Sequence, residues 1–112
     1  MQNKKELINE YKNRKQIGGI CKITNIQTKR KLLFAVIDIK AAENRFEFSK
    51  KNDSCINYKL QKDWNKYGSN SFTFEVVEKL EKNIEQTSKE FIEDLNLLLD
   101  IYLNKIGTEN IY

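Results

Sequence analysis

The sequence predicts a small α+β domain whose elements run helix, strand, strand, two helices, strand, helix. Three stretches carry that prediction. Gly19 to Asn25 and Leu32 to Ile39 are rich in β-branched and aliphatic residues and flank a polar, basic connection, Ile26 to Lys31, so together they read as a hairpin. Phe72 to Glu78 opens with aromatic and polar residues in alternation, the pattern of a strand that buries one face. Thr87 to Ile106 repeats Phe91, Leu95, Leu98, Tyr102 and Ile106 at intervals of three and four, the pattern of a long amphipathic helix.

Taken in order, Asn3 to Lys15 forms a first helix with a narrow stripe of Leu7, Ile8 and Tyr11, suited to cover a core rather than build one. Gly18-Gly19 joins it to the hairpin. The second hairpin strand is apolar without alternation, which places it inside the sheet with both faces covered. Ala41, Ala42, Arg45 and Phe46 then fall at helical spacing, and Lys50 to Ser54 is a polar loop. Tyr58 to Tyr67 places Leu60, Trp64 and Tyr67 on one helix face and stops at Gly68. Thr87 or Ser88 caps the last helix, which forms the main core helix, and Gly107 ends it before a frayed tail of residues 108 to 112. The expected division is an N-terminal extension over 1–16, a domain over 17–106 and a tail over 107–112.

Composition bounds the chemistry. The chain has 112 residues, 39% hydrophobic and 32% charged, enough for one folded domain. No apolar run reaches the roughly 20 residues that span a bilayer, and the first residues lack a secretory apolar core. A cytoplasmic protein with no membrane partner is expected. Cys21 and Cys55 then stay reduced thiols. The absence of histidine removes Ser-His and Cys-His nucleophile pairs and leaves zinc without its usual ligands. The net charge of +4 is unevenly spread, with 16 Lys/Arg against 7 Asp/Glu in residues 1–66 and 4 against 9 in residues 67–112. A basic front part fits a polyanionic partner, or else a merely solvated lysine-rich surface.

Two blocks of residues carry a family resemblance. Gly19-Ile20-Cys21-Lys22-Ile23-Thr24-Asn25 is similar to the GIY-x-I-x-N opening of the GIY-YIG nuclease superfamily. Leu60 to Gly68, followed by Phe72 to Glu78, resembles the block before that family's last helix. The resemblance spans roughly residues 17–106 and implies a central three-stranded antiparallel sheet flanked by helices. It further implies metal-dependent phosphodiester hydrolysis: a hairpin Tyr prepares a water, an Arg on the next helix stabilises phosphate charge, and a Glu on the last helix holds the ion.

This sequence departs from that pattern at most of those positions. Cys21 stands where the first motif has Tyr, and Leu32-Leu33-Phe34 replaces the second motif. Leu99, three residues before Tyr102, stands where the metal Glu would be, and Ser49 near the His or Tyr found a turn after the Arg. Arg45 alone matches. Leu99 cannot supply the oxygen that Mg²⁺ requires, and Cys21 has no histidine to activate it. Apolar residues at Cys21, Leu32 and Phe34 fit a filled cleft.

The expected function is therefore a GIY-YIG-like domain that has lost hydrolysis, needs no cofactor and keeps DNA or RNA binding through a basic face. The candidate contacts are Lys22, Lys29, Arg30, Lys31 and Arg45, which could follow a phosphate backbone without reading sequence. Arg45 could equally pair with Glu43 or Glu47. Trp64 and Tyr67 could stack on bases, although their spacing with Leu60 fits a core better. Two alternatives stay open. One is a Mg²⁺-dependent nuclease with a rebuilt site, using Asp100 or Glu93 with Tyr11, Tyr58 or Tyr67. The other is a module for a protein partner or a homodimer.

Overall fold

A computed structural model describes residues 16–55, 57–107 and 110–112. The helix expected over Asn3 to Lys15 lies outside the described residues. The observed elements are β1 (Ile17–Asn25), β2 (Lys31–Val36), α1 (Ile39–Lys51), α2 (Gln61–Tyr67), β3 (Phe72–Glu81) and α3 (Ser88–Ile106), with a single 3₁₀ turn at Ser69–Ser71. Local chemistry sets the helix ends. Asp38 accepts the Ala41 amide at 3.1 Å to open α1. Thr87 and Glu90 exchange side-chain and backbone bonds of 3.1 and 3.2 Å in a capping box that opens α3. Gly107, at φ 76°, ends α3 in the left-handed region.

The three strands form one antiparallel sheet in the order β2-β1-β3. The first hairpin strand is thus central, and β2, expected inside the sheet, is an edge strand. Its unbroken apolar run reflects helices on both faces rather than strands on both sides. Leu32 is buried in one layer and Leu33 in the other. The β1–β3 register slips between Ile20, opposite Glu78, and Cys21, opposite Val76, which leaves Val77 as a bulge.

Successive residues of β1 show which helix covers which face. A Cβ on Gly18 would lie 3.0 Å from the Phe91 ring of α3, whereas one on Gly19 would lie 3.1 Å from Cδ1 of Ile39 in α1. The α1 side holds the main cluster of Ile23, Leu32, Phe46, Leu60, Trp64 and Phe72, with Trp64 stacked on Phe72 at 5.0 Å between centroids. On the opposite side, Ile20 and Leu33 are buried where Phe91 and Leu95 of α3 pack down. The main core helix of the sequence reading is thus a partial one, since only those two residues of α3 are fully buried while Leu97 and Ile101 are 63% and 51% exposed.

Of the tail expected to fray, the described residues 110–112 are docked. Ile111 bridges to Lys31 in parallel, with Lys31 N donating to Asn110 O at 2.7 Å and Tyr112 N to Lys31 O at 2.9 Å. This short addition covers the start of the β2 edge.

Candidate functional site

The hairpin motif positions lie on the α1 side of the sheet. Cys21 sits between Phe34 on β2 and Val76 on β3, and its side chain is completely buried. Phe34 meets Phe74 edge-on at 6.3 Å between centroids, and Phe74 packs against Phe46 at 5.5 Å. Leu32 joins the same layer. Burial, reinforced by the negative charge of Glu43 on α1, pushes the Cys21 thiol up to about 11. A thiol held neutral in this way is not a nucleophile near neutral pH.

Arg45 lies on α1 with its side chain exposed, and among the described residues it forms no ion pair with Glu43, Glu47 or any other carboxylate. One turn on, Ser49 is buried and its hydroxyl donates to the Arg45 carbonyl at 2.8 Å, so it faces the helix backbone. Leu99 is half-buried on α3, while Glu93 and Asp100 on the same helix are exposed. At Phe91 that helix packs on the face opposite α1. Tyr58 is 83% exposed in the loop before α2, Tyr67 is half-buried at the end of α2, and Tyr11 lies outside the described residues.

A divalent ion needs several oxygen ligands converging on one point. Among the described residues no three His, Cys, Asp or Glu side chains converge in that way. The residues at the family positions, Cys21, Leu32, Phe34 and Leu99, do not fit such an ion.

The basic candidates are divided between surfaces. Lys22 pairs with Glu75 at 3.5 Å on the α3 side of the sheet, and Lys31 shares that side by register. Lys29 is exposed in the hairpin turn, with φ 67°. Arg30 is engaged by the protein itself. Its guanidinium lies 4.3 Å over the Tyr112 ring, 3.7 Å from the Asp63 carboxylate and 3.5 Å from the Ile111 carbonyl. The Tyr112 hydroxyl donates to the same Asp63 oxygen at 2.7 Å and accepts from the buried Asn25 amide at 3.1 Å. Burial first, then the Asp63 carboxylate, raise the Tyr112 hydroxyl above its ordinary value. Trp64 is a core residue, 2% exposed.

The remaining cations belong to no recognisable motif. The stretch from α1 through α2, residues 39–67, carries seven Lys/Arg against four Asp/Glu, and one of those four, Asp63, is already bound to Arg30. Lys40, Lys51, Lys59, Lys62 and Lys66 are exposed there beside Arg45. Across the sheet, α3 carries four acidic residues, Glu90, Glu93, Asp94 and Asp100, against Lys89 and Lys105. The spacing of lysines from 50 to 66 was the available signal. No such signal announced the Asn25–Asp63–Tyr112 network, which joins residues up to 87 positions apart.

No family model matches the chain, and no curated protein matches it. Among solved structures it resembles a mutant of the catalytic domain of intron endonuclease I-TevI, with TM-score 0.62 and 18% identity over 86% of this chain and 91% of that one. It likewise resembles the catalytic domain of homing endonuclease I-TevI, with TM-score 0.59 and 19% identity over 85% and 95% of the two chains. At these identities the likeness is one of fold. The chain has a GIY-YIG-like α+β fold, and from Ile17 on its strands and helices follow one another along the chain in the order that the sequence predicted.

Proposed function

We propose that this chain is a GIY-YIG-like domain that no longer hydrolyses phosphodiesters and that binds DNA or RNA through its α1–α2 side. The observation that carries this reading is the segregation of charge across the sheet, basic on the α1–α2 layer and acidic on α3. A polyanion held on the first layer would release counterions from several lysines at once while staying clear of α3. Arg45, exposed and without an ion-pair partner among the described residues, supplies a planar fork that suits phosphate. The apolar filling around Cys21 supports loss of hydrolysis, because the groups that would prepare water and hold an ion are replaced by Cys21, Leu32, Phe34 and Leu99.

A cytoplasmic site of action belongs to the same reading. Its support is the Cys21 thiol, buried and outside any disulfide. Among the described residues no helix is long and apolar enough to cross a membrane. One observation favours a second reading, a protein partner or a second copy: the exposed Leu97 and Ile101 of α3.

The test reverses charge on one layer at a time. Lys62→Glu with Lys66→Glu, and separately Arg45→Ala, are expected to weaken binding of a labelled duplex and to flatten its salt dependence. Lys89→Glu with Lys105→Glu on α3 should leave both unchanged. Equal losses from the two layers would contradict the assignment, and no binding by the native protein would remove it.

A further inference from the structure

Building on the proposed nucleic-acid binding, we infer that the outer stripe of α1 and the loop after it form a stacking platform for single-stranded nucleic acid. Phe48 and Tyr58 take the bases, and Arg45, Lys51 and Lys59 take the backbone.

The starting observation is where the chain leaves aromatic rings in water. Phe48 is 66% exposed and Tyr58 is 83% exposed. Every other large apolar side chain exposed among the described residues is aliphatic, and all of those lie on the strands, on α3 or in the connections beside them. The two exposed aromatics thus share one stretch of chain, and it is the basic one.

Helix geometry explains why Phe48 cannot turn inward. Helix α1 buries Ile39, Phe46 and Ser49. At 100° per residue, Phe48 points away from that face, and Arg45 and Lys51 stand three residues to either side of it on the same outer stripe. Phe48 contributes only its backbone carbonyl to the helix end, accepting from Asn52 Nδ2 at 2.9 Å. A phenyl ring in that position forgoes the free energy of burial, so folding gives no reason for it.

Tyr58 opens the turn that leads into α2, between Asn57 and Lys59. The Lys59 amide donates to Asn57 Oδ1 at 2.8 Å, and Leu60 is buried in the core cluster, so the turn that carries Tyr58 is anchored where it enters α2.

An aromatic face with cations beside it is what an unpaired strand requires. Bases whose faces are free can stack on the ring while the phosphates meet Arg and Lys. A duplex buries those faces and gains nothing from the rings. A protein partner would seek aliphatic surface as well, and that lies elsewhere on this molecule.

The probes are a labelled oligothymidine, an oligouridine and a duplex of similar length, titrated at several salt concentrations. The native protein should bind the single strands more tightly than the duplex. Phe48→Leu keeps an apolar side chain of similar size but removes the ring, and it should weaken strand binding roughly 5- to 100-fold. Duplex binding and the salt slope should be unchanged, because no charge is removed. Tyr58→Leu should act in the same direction. Phe48→Trp should retain affinity, and its fluorescence should be quenched by the strand.

Strand binding by Phe48→Leu equal to native overturns the platform. Native binding to duplex alone also overturns it while leaving the proposed nucleic-acid function standing. Binding to none of the three probes overturns both.

Discussion

Cys21 lies directly opposite Phe34 in the β1–β2 ladder, and both side chains point to the α1 side of the sheet, where the apolar layer is. That pairing turns the motif end of the hairpin into core. Native protein treated with a thiol reagent at pH 8 should therefore react at the partly exposed Cys55 well before the buried Cys21. Equal rates would contradict a closed layer.

The same pairing sets an alkaline limit on stability. The folded state holds Cys21 protonated up to about 11 against an ordinary value of 9.0, and it raises Tyr112 as well. A group whose proton is held more tightly in the fold adds stability below its unfolded value and loses it as pH passes through the folded one. The melting temperature should be level up to about pH 9 and fall between pH 9 and 11. In Cys21→Ala that fall should be shallower, even though the variant starts lower. Identical profiles would show that the thiol does not titrate with unfolding.

Asp63 gathers the Tyr112 hydroxyl, the Arg30 guanidinium and the Asn25 amide around one carboxylate oxygen. Tyr112→Phe removes one hydrogen bond and should cost about 1 kcal/mol, while Asp63→Ala strips three partners and should cost about 2–3 kcal/mol. Denaturant midpoints decide this. A double variant no worse than Asp63→Ala alone would confirm that the two act as one network.

Gly19 faces a steric limit at the β-bulge, because a Cβ there would run into the Glu78 carbonyl and press on Ile39. Gly19→Ala should destabilise the fold by ~1–3 kcal/mol. Arg45→Ala should change stability by less than about 0.5 kcal/mol, since the side chain is exposed and forms no ion pair among the described residues. The pair of variants separates a motif residue kept for packing from one available for a ligand.

Much of the fold was legible because period and punctuation agreed. Aromatic alternation announced β3, threefold and fourfold spacing announced α3, and Gly68 and Gly107 marked helix ends. The place of β2 was not legible. A strand covered by helices on both faces reads as apolar throughout whether or not it has a ladder on each side, so Leu32 to Val36 looked internal. The docked tail escaped notice because three residues carry no period, and its contacts with Lys31 and Asp63 are long-range. At the site, the substitutions Cys21, Leu32 and Phe34 could be read as apolar, but the capture of Arg30 by Tyr112 could not. The exposure of Phe48 also needed the helix register, since Phe46 and Phe48 look alike in sequence and only one of them is buried.

The most direct measurement incubates the native protein with labelled duplex and single-stranded DNA and RNA in Mg²⁺ or Mn²⁺, reading binding by gel shift and cleavage by strand length in the same samples. Complexes should dissolve as salt rises, and the nucleic acid should stay full length. Shortened strands that disappear on chelation and in Arg45→Ala would contradict this, and would mean that a hydrolytic site persists around a layer that looks closed.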